Sequence, residues 1–139
     1  MIMIQKRPPR SMQTREDAEF WAWCDKGELH LQRCGDCGHM VFPPMQPCEA
    51  CGSSKVEWEK LSGRGKLASW CTIERDYYKG AIPLPWDTIV VELDEGPYFL
   101  SNPEGFTNAE AEYGMAVEVT FIDCEDEHGQ YKLPVFKPA

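Results

Sequence analysis

The sequence predicts a mainly β protein with one short helix near its N-terminus. Eleven glycines and eleven prolines in 139 residues favour many turns and short elements over long helices. Two C-x2-C pairs, ten residues apart, predict a small ribbon, and segments of alternating apolar and polar residues after residue 66 predict strands. The length allows one ordinary domain or two very small ones, and it leaves no room for a large barrel or Rossmann-type enzyme.

The N-terminal segment predicts a loose arm followed by a helix. Residues 1–13 are polar and unpatterned, and no apolar stretch suggests a signal peptide or a segment able to cross a bilayer. Thr14 can cap a helix in which Asp17 completes a capping box, and Lys26 with Gly27 can end it. Its large apolar residues favour a helix that covers the chain's own core, with docking to a partner as the alternative.

The next segment predicts a hairpin around the cysteine pairs. Residues 28–33, 40–42 and 56–59 read as short strands, and residues 62–65 as a linker between two units. Four thiolates at this spacing suit a structural Zn²⁺, and the glycine after each pair gives the backbone freedom that a metal-binding turn needs. We therefore expect a rubredoxin-like zinc ribbon with one zinc and no open coordination position. The ligands are Cys34, Cys37, Cys48 and Cys51.

The remaining cysteines carry no catalytic signal. Seven cysteines in a chain without an export signal indicate reduced thiols or metal ligands and a cytoplasmic location. Cys24, Cys71 and Cys124 have no base beside them in sequence, so we expect small buried or half-buried apolar side chains. His39 abuts the first pair and is at best a spare ligand.

The C-terminal part predicts a five-stranded barrel. Residues 66–75, 88–93 and 97–101 form the first three strand signals, a helical turn capped by Asn108 follows, and residues 115–122 and 130–136 complete the set. Three strands, a short helix and two strands is the order of an OB-fold. The expected organisation is an arm and helix over residues 1–31, a zinc ribbon over 32–62 and an OB-fold over 63–139.

The charge distribution argues against polyanionic partners. The net charge is −9, of which residues 1–62 carry −1 and residues 63–139 carry −8. An acidic surface repels phosphate backbones and anionic membranes, so we expect neither nucleic acid nor a membrane as a partner.

The sequence contains no recognisable catalytic constellation. It has no nucleophile elbow, phosphate-binding glycine loop or paired carboxylates in a shared pocket. The loop over residues 76–86 suits a protein surface or an acyl chain, although it could equally fold onto its own barrel. Its candidate contact residues are Tyr77, Tyr78, Pro83, Leu84 and Trp86.

The order of these features resembles a family of zinc-ribbon and OB-fold proteins, long called a domain of unknown function and described as acyl-CoA-associated. The resemblance covers residues 20–136. It is carried by Phe20-Trp21, Leu29, Leu31, Arg33-Cys34, Cys37-Gly38, Phe42-Pro43-Pro44, Cys48, Cys51-Gly52, Trp58, Ser62-Gly63-Arg64-Gly65, Val91, Leu93-Asp94-Glu95-Gly96, Ser101-Asn102, Gly114-Met115, Val117 and Pro134.

The resemblance implies a non-catalytic accessory subunit of a thiolase-like enzyme that acts on acyl-CoA thioesters in a degradation pathway. The partner would carry the catalytic residues, with β-ketoacyl-CoA thiolase favoured and a retro-aldol or acyltransferase homologue as the alternative. A dimeric thiolase-fold partner implies a two-plus-two heterotetramer. Arg64 and Lys66 are then the best-placed cations for coenzyme A phosphates.

Two other classes of function stay open at this point. One is a nucleic-acid-binding module, because zinc ribbons and OB-folds both occur in such proteins, although the acidic barrel opposes it. The other is a self-sufficient acyl-CoA enzyme, which activity of the isolated chain would establish.

Overall fold

A computed structural model of the chain describes residues 4–139 and contains two sheets, one α-helix and one 3₁₀ turn. Within this range no helix has the length and hydropathy of a membrane span. In chain order the elements are β1 (Gln5–Lys6), α1 (Arg15–Asp25), β2 (His30–Cys34), β3 (Met40–Val41), β4 (Val56–Lys60), β5 (Arg64–Ile73), β6 (Trp86–Leu93), β7 (Tyr98–Ser101), the 3₁₀ turn (Asn108–Glu110), β8 (Ala116–Asp126) and β9 (Gly129–Pro138).

Helix α1 begins and ends where the sequence predicts. The Thr14 hydroxyl accepts a hydrogen bond from the Asp17 amide at 3.0 Å, and Gly27, with a φ of 75°, ends the helix in the left-handed region. The predicted capping box is wrong in one respect, because the Asp17 carboxylate accepts from the Ser11 hydroxyl instead. Phe20 is buried in the chain's own core, so the helix covers that core as expected.

Strands β2, β3 and β4 form the antiparallel sheet of the ribbon, in the order β3-β2-β4. Gln32 lies opposite Val41 on one side and Trp58 on the other. Its buried side chain accepts a hydrogen bond from the Met45 amide at 2.9 Å. The sheet therefore also fixes the loop that follows β3.

Strands β5 to β9 form the predicted five-stranded OB-fold barrel. Antiparallel pairs join β5 to β6, β6 to β7, β5 to β8 and β8 to β9. The barrel closes in parallel just after β7, where the Phe136 amide donates to the Asn102 carbonyl at 3.1 Å and the Glu104 amide donates to the Phe136 carbonyl at 2.8 Å. This closure places the ends of β7 and β9 side by side.

The ribbon and the barrel share one hydrophobic core. Leu29, Leu31 and Leu61 from the ribbon side are almost completely buried in the same cluster as barrel side chains. The barrel members are Leu67, Ile89, Val91, Leu93, Phe99, Phe106, Val117 and Phe136. The two sheets thus pack as one body around this cluster.

The predicted linker over residues 62–65 is wrong in its second half, because Arg64 and Gly65 already belong to β5. A Cβ atom at Gly65 would lie 2.5 Å from the Glu92 carbonyl oxygen, so β5 and β6 approach too closely for any side chain there. Gly63 has a φ of 76° and lies against Val119. The junction is packed and not a free connection.

The predicted loose arm is also wrong for residues 5–10, while residues 1–3 lie outside the described part. Strand β1 pairs in parallel with β8, and the Arg7 amide donates to the Glu125 carbonyl at 2.9 Å. The Arg10 guanidinium then donates to the Asp126 carboxylate at 2.8 Å. These contacts lie far apart in sequence, so the local pattern of the arm could not reveal them.

Two smaller predictions are corrected by local geometry. Beyond a bulge between Leu67 and Ser69, residues 69–72 of β5 are exposed on both faces, so Cys71 is exposed and not buried. The predicted helical turn starts one residue earlier than expected. Thr107 precedes it, and its hydroxyl and amide both contact the Glu110 carboxylate at 3.2 Å.

Candidate functional site: a four-cysteine metal centre and the barrel surface

Two similar turns hold the predicted metal ligands. In the first, the Gly38 amide donates to the Cys34 carbonyl at 2.9 Å, and in the second the Gly52 amide donates to the Cys48 carbonyl at 2.8 Å. Both glycines have a φ of 76°, which a residue with a side chain rarely adopts. The C-x2-C-G sequence therefore produces the same turn twice.

The two turns face each other and bring the four sulfurs together. The Sγ atoms of Cys34 and Cys51 lie 3.6 Å apart, those of Cys37 and Cys48 lie 3.7 Å apart, and all four lie within 4.8 Å of one another. Metal–sulfur bonds of about 2.3 Å in a tetrahedron imply sulfur–sulfur separations of about 3.8 Å. The donor set and its spacing fit one structural zinc, and the zinc prediction is confirmed.

Hydrogen bonds from backbone amides lower the pKa of some of these thiols and so favour the thiolates that bind a cation. Hydrogen bonds from the Cys37 and Asp36 amides lower the pKa of the Cys34 thiol to about 6. The Ser53 amide lowers the pKa of Cys51, but the neighbouring sulfurs outweigh it and raise that pKa to about 12. Four thiolates crowded together repel one another, so a divalent cation is what allows all of them to ionise.

His39 has a structural role beside this centre. Its Nε2 lies 3.0 Å from the Glu49 carboxylate, and this contact joins the first cysteine turn to the second. The four-sulfur group in the described part of the chain does not include it.

The remaining cysteines are separate from the metal centre. Burial raises the pKa of Cys24 to about 12, and burial also raises the pKa of Cys124. A thiol with a raised pKa is a poor nucleophile at neutral pH. Cys24 and Cys124 thus act as small apolar side chains of the core, as predicted.

The predicted coenzyme A cations lie together on one exposed side of β5. Arg64 and Lys66 are exposed and alternate with the buried Gly65 and Leu67. Glu118 lies opposite Arg64 on β8, and Glu92 lies opposite Lys66 on β6. Carboxylates therefore flank both cations and reduce the local positive potential.

The predicted contact loop follows the other end of β5, which ends at Ile73. Tyr77 is 65% exposed, Tyr78 45% and Leu84 40%. Trp86 begins β6 and is half-buried, with its ring centroid 6.3 Å from that of Tyr78. The loop is therefore an exposed apolar surface anchored by Trp86.

A contact that sequence reasoning missed lies beside this loop. The guanidinium of Arg7 stands 5.8 Å from the centre of the Trp86 ring and donates to the Asn102 side chain at 3.0 Å. Asn102 in turn donates to the Asp87 carbonyl at 2.7 Å. The arm has no periodicity that could have predicted this, because the contact depends on the pairing of β1 with β8.

Two family descriptions match consecutive parts of the chain. Residues 21–57 match "ChsH2, rubredoxin-like zinc ribbon domain", and residues 58–121 match "ChsH2, C-terminal OB-fold domain". Together the two matches cover the metal centre, the shared core and most of the barrel.

Curated relatives carry names from acyl-CoA metabolism or from scaffold proteins. A "DUF35 domain-containing scaffold protein" of Methanocaldococcus jannaschii is 32% identical over 100 residues, 68% of each chain. A "Benzoylsuccinyl-CoA thiolase subunit BbsA" of Thauera aromatica is 29% identical, over 68% of this chain and 77% of its own. A "Probable enoyl-CoA hydratase alpha subunit" of Thermomonospora curvata is 29% identical over 94% of this chain, which spans only 40% of that protein.

A solved structure has the same arrangement. A chain of the structure described as "Ltp2-ChsH2(DUF35) aldolase" superposes with a TM-score of 0.79 at 28% sequence identity. The match covers 93% of this chain and 98% of the other. The helix, the ribbon and the barrel therefore recur as one unit.

Proposed function

The chain belongs to the DUF35 family of ChsH2-type zinc-ribbon and OB-fold scaffold proteins, and from this membership we propose that it is a non-catalytic subunit of an enzyme that acts on acyl-CoA thioesters. The observation that carries the proposal is the near-complete superposition on the DUF35 chain of an aldolase complex. The catalytic partner supplies the reacting groups, and this chain supports assembly and helps to form the acyl-CoA site.

The chemistry of the chain supports a non-catalytic role. Four cysteine ligands leave no coordination position for substrate, so the zinc stabilises the ribbon and does not activate a water or a carbonyl. The buried Cys24 and Cys124 have raised pKa values and lack the thiolate character of a nucleophile.

We favour a thiolase-fold partner, as in a β-ketoacyl-CoA thiolase, over a retro-aldol or acyltransferase homologue. The thiolase subunit of Thauera aromatica supports this choice, and the aldolase structure supports the alternative. The proposed assembly is a two-plus-two heterotetramer, because thiolase-fold enzymes are usually dimers and one scaffold chain on each subunit closes the symmetry. A degradation pathway in the cytoplasm is the proposed setting.

Two surfaces of the barrel have proposed roles in this assembly. The exposed loop with Tyr77, Tyr78, Pro83 and Leu84 buries against the partner near the acyl entrance, anchored by Trp86. Arg64 and Lys66 meet the phosphates of coenzyme A at the other end of β5. The two surfaces lie at opposite ends of β5, so the proposed partner extends along the barrel between them.

Purification of the tagged full chain from its native host tests the proposal. We expect a thiolase-fold protein to co-elute and the complex to turn over acyl-CoA thioesters, while neither chain is active alone. Trp86→Ala should weaken the complex by roughly 2 kcal/mol, as expected of a buried aromatic anchor. Arg64→Ala should raise the apparent KM and leave complex formation intact.

Cys71→Ala is the matched control, because this exposed thiol belongs to neither proposed surface. Its complex should retain turnover within a few-fold of the wild type. Acyl-CoA turnover by the isolated chain, or co-elution with nucleic acid in place of a catalytic subunit, would refute the proposal.

A further inference from the structure

The N-terminal arm is a basic segment on an acidic protein. The first fifteen residues contain four cations and no carboxylate, whereas the whole chain has a net charge of −9. The arm passes beside the loop that carries Trp86, and β1 fixes it there by pairing with β8. Positive charge is therefore concentrated next to the exposed aromatic surface.

Arg7 and Arg10 differ in how their charges are compensated. Arg10 donates to both oxygens of Asp126, and its side chain is only 7% exposed. The guanidinium of Arg7 makes one hydrogen bond, to Asn102, and no carboxylate lies within 4.0 Å of it in residues 4–139. Arg10 is internally satisfied, whereas Arg7 retains free donors and has no ion-pair partner within the described residues.

A recess of about 210 Å³ opens beside Arg7. Its lining contains two arginines and no carboxylate, although the chain has 23 acidic residues. The remaining walls are apolar or aromatic, so a partner that covers the recess would shield an ion pair there from water and strengthen it. The lining residues are Arg7, Pro8, Arg10, Trp21, Tyr78, Ile82, Trp86, Tyr131 and Leu133.

We propose that Arg7 receives a carboxylate side chain of the catalytic subunit in this recess, which makes the arm part of the docking surface. The inference rests on the proposed function and adds a charged centre to its apolar loop. The exposed Tyr78 forms one wall of the recess, and Tyr77 and Leu84 belong to the same loop. An arginine surrounded by aromatic side chains is the usual composition of an energetically dominant interface site.

A second recess lined by Arg7 is less suited to receive a carboxylate. This recess, of about 240 Å³, is lined by Asp87 and Glu104 as well as by Trp86. These carboxylates repel an incoming anion. Arg7 and Trp86 line both recesses, and the Arg7 guanidinium lies 5.8 Å from the centre of the Trp86 ring.

Binding of the full-length variants to the purified catalytic subunit tests the proposal by isothermal titration calorimetry. Arg7→Glu should weaken the complex about a hundredfold, because it replaces an ion pair with like-charge repulsion. Arg7→Gln should weaken it about tenfold and reduce its dependence on salt. Arg15→Glu makes the same charge change at an 80% exposed side chain and should alter the Kd less than twofold.

A photo-crosslinker gives a readout that does not depend on the folding of an Arg7 variant. Benzoylphenylalanine in place of Tyr78 should crosslink to the catalytic subunit, and the same group in place of Tyr113, which is 81% exposed beyond the 3₁₀ turn, should not. A stable complex that crosslinks only from position 113, or that is indifferent to Arg7→Glu, would overturn this docking surface and leave the accessory role standing. Failure of the wild-type chains to associate would overturn both.

Discussion

At the scale of single residues, the binding of zinc to the ribbon depends on the loss of protons from the cysteine thiols. Amide hydrogen bonds hold the pKa of Cys34 at about 6, whereas the adjacent sulfurs hold that of Cys51 at about 12. A metal must therefore displace protons from the later thiols as it binds. Each ligand depends on the others, and loss of one leaves three sulfurs without a closed tetrahedron.

We expect Cys37→Ser to lower both the zinc content and the solubility of the chain. A serine oxygen cannot replace a soft thiolate in a four-sulfur site, so the ribbon should lose its metal and expose apolar side chains. Elemental analysis of the purified protein measures the zinc. Cys71→Ser is the control and should keep about one zinc per chain, and an equal zinc content in the two variants would refute the ligand assignment.

At the scale of elements, the arm depends on one buried ion pair. The side chain of Asp126 is fully buried and that of Arg10 nearly so. Burial alone raises the pKa of Asp126, but hydrogen bonds from Arg10 and the His128 amide outweigh it and hold that pKa below its ordinary value. The carboxylate therefore stabilises the folded state in its charged form.

We expect Asp126→Asn to lower the free energy of unfolding by about 3 kcal/mol at pH 7, because it leaves Arg10 buried without a counter-charge. A carboxyl whose pKa is lowered by folding stabilises the folded state fully above its pKa in the unfolded chain, about 3.9. This stabilisation is lost as the pH falls through its pKa in the folded state. The difference between wild type and variant should therefore shrink below about pH 4.

Urea unfolding at a series of pH values measures this difference. Glu127→Gln is the matched control, because its side chain is 69% exposed beside the buried aspartate. It should change stability by less than about 0.5 kcal/mol. A pH-independent gap between wild type and Asp126→Asn would contradict the assigned ionisation.

Elements with strong local signals were predictable from the sequence, and those that depend on distant contacts were not. The repeated C-x2-C-G motif specifies both metal-binding turns, and the Thr14 cap specifies the start of α1. Strand β1 has only two residues and is defined by its pairing with β8, more than a hundred residues away in the sequence. The bulge in β5 likewise follows from its pairing with β6, which the alternation of Ser69 and Cys71 could not reveal.

The residues of the candidate site also divide into those that the sequence predicts and those that it does not. The four zinc ligands could be read directly from their spacing, because a tetrahedral thiolate site imposes that spacing. Arg7 could not be predicted, since a single arginine in an unpatterned segment is usually solvated. Its place beside Trp86 follows from the fold alone.

At the scale of the whole molecule, the metal centre and the barrel are parts of one cooperative structure. Leu31 lies on β2, three residues from the first zinc ligand, and is fully buried against the barrel. Unfolding of the ribbon would therefore expose barrel side chains to water. The zinc thus contributes to the stability of the barrel through this core.

We expect zinc release and loss of barrel structure to occur in a single transition during denaturation. A colorimetric chelator reports the metal, and circular dichroism reports the strands. Leu31→Ala should shift both signals together and lower the free energy of unfolding by about 2–5 kcal/mol, because it creates a cavity. Leu100→Ala, at a side chain 67% exposed on β7, is the control and should leave both signals nearly unchanged. Separate transitions for zinc release and for the loss of strands would contradict a common core.

The glycine-lined junction between ribbon and barrel has a consequence for building chimeras. A designer who transplants the ribbon of one relative onto the barrel of another must keep Gly65 and the space facing Val119, because neither accepts an added side chain. The graft must also carry α1, since Phe20 completes the layer between the two sheets. The smallest exchangeable unit is therefore not the metal-binding hairpin but the hairpin with its helix, cut ahead of the first barrel strand.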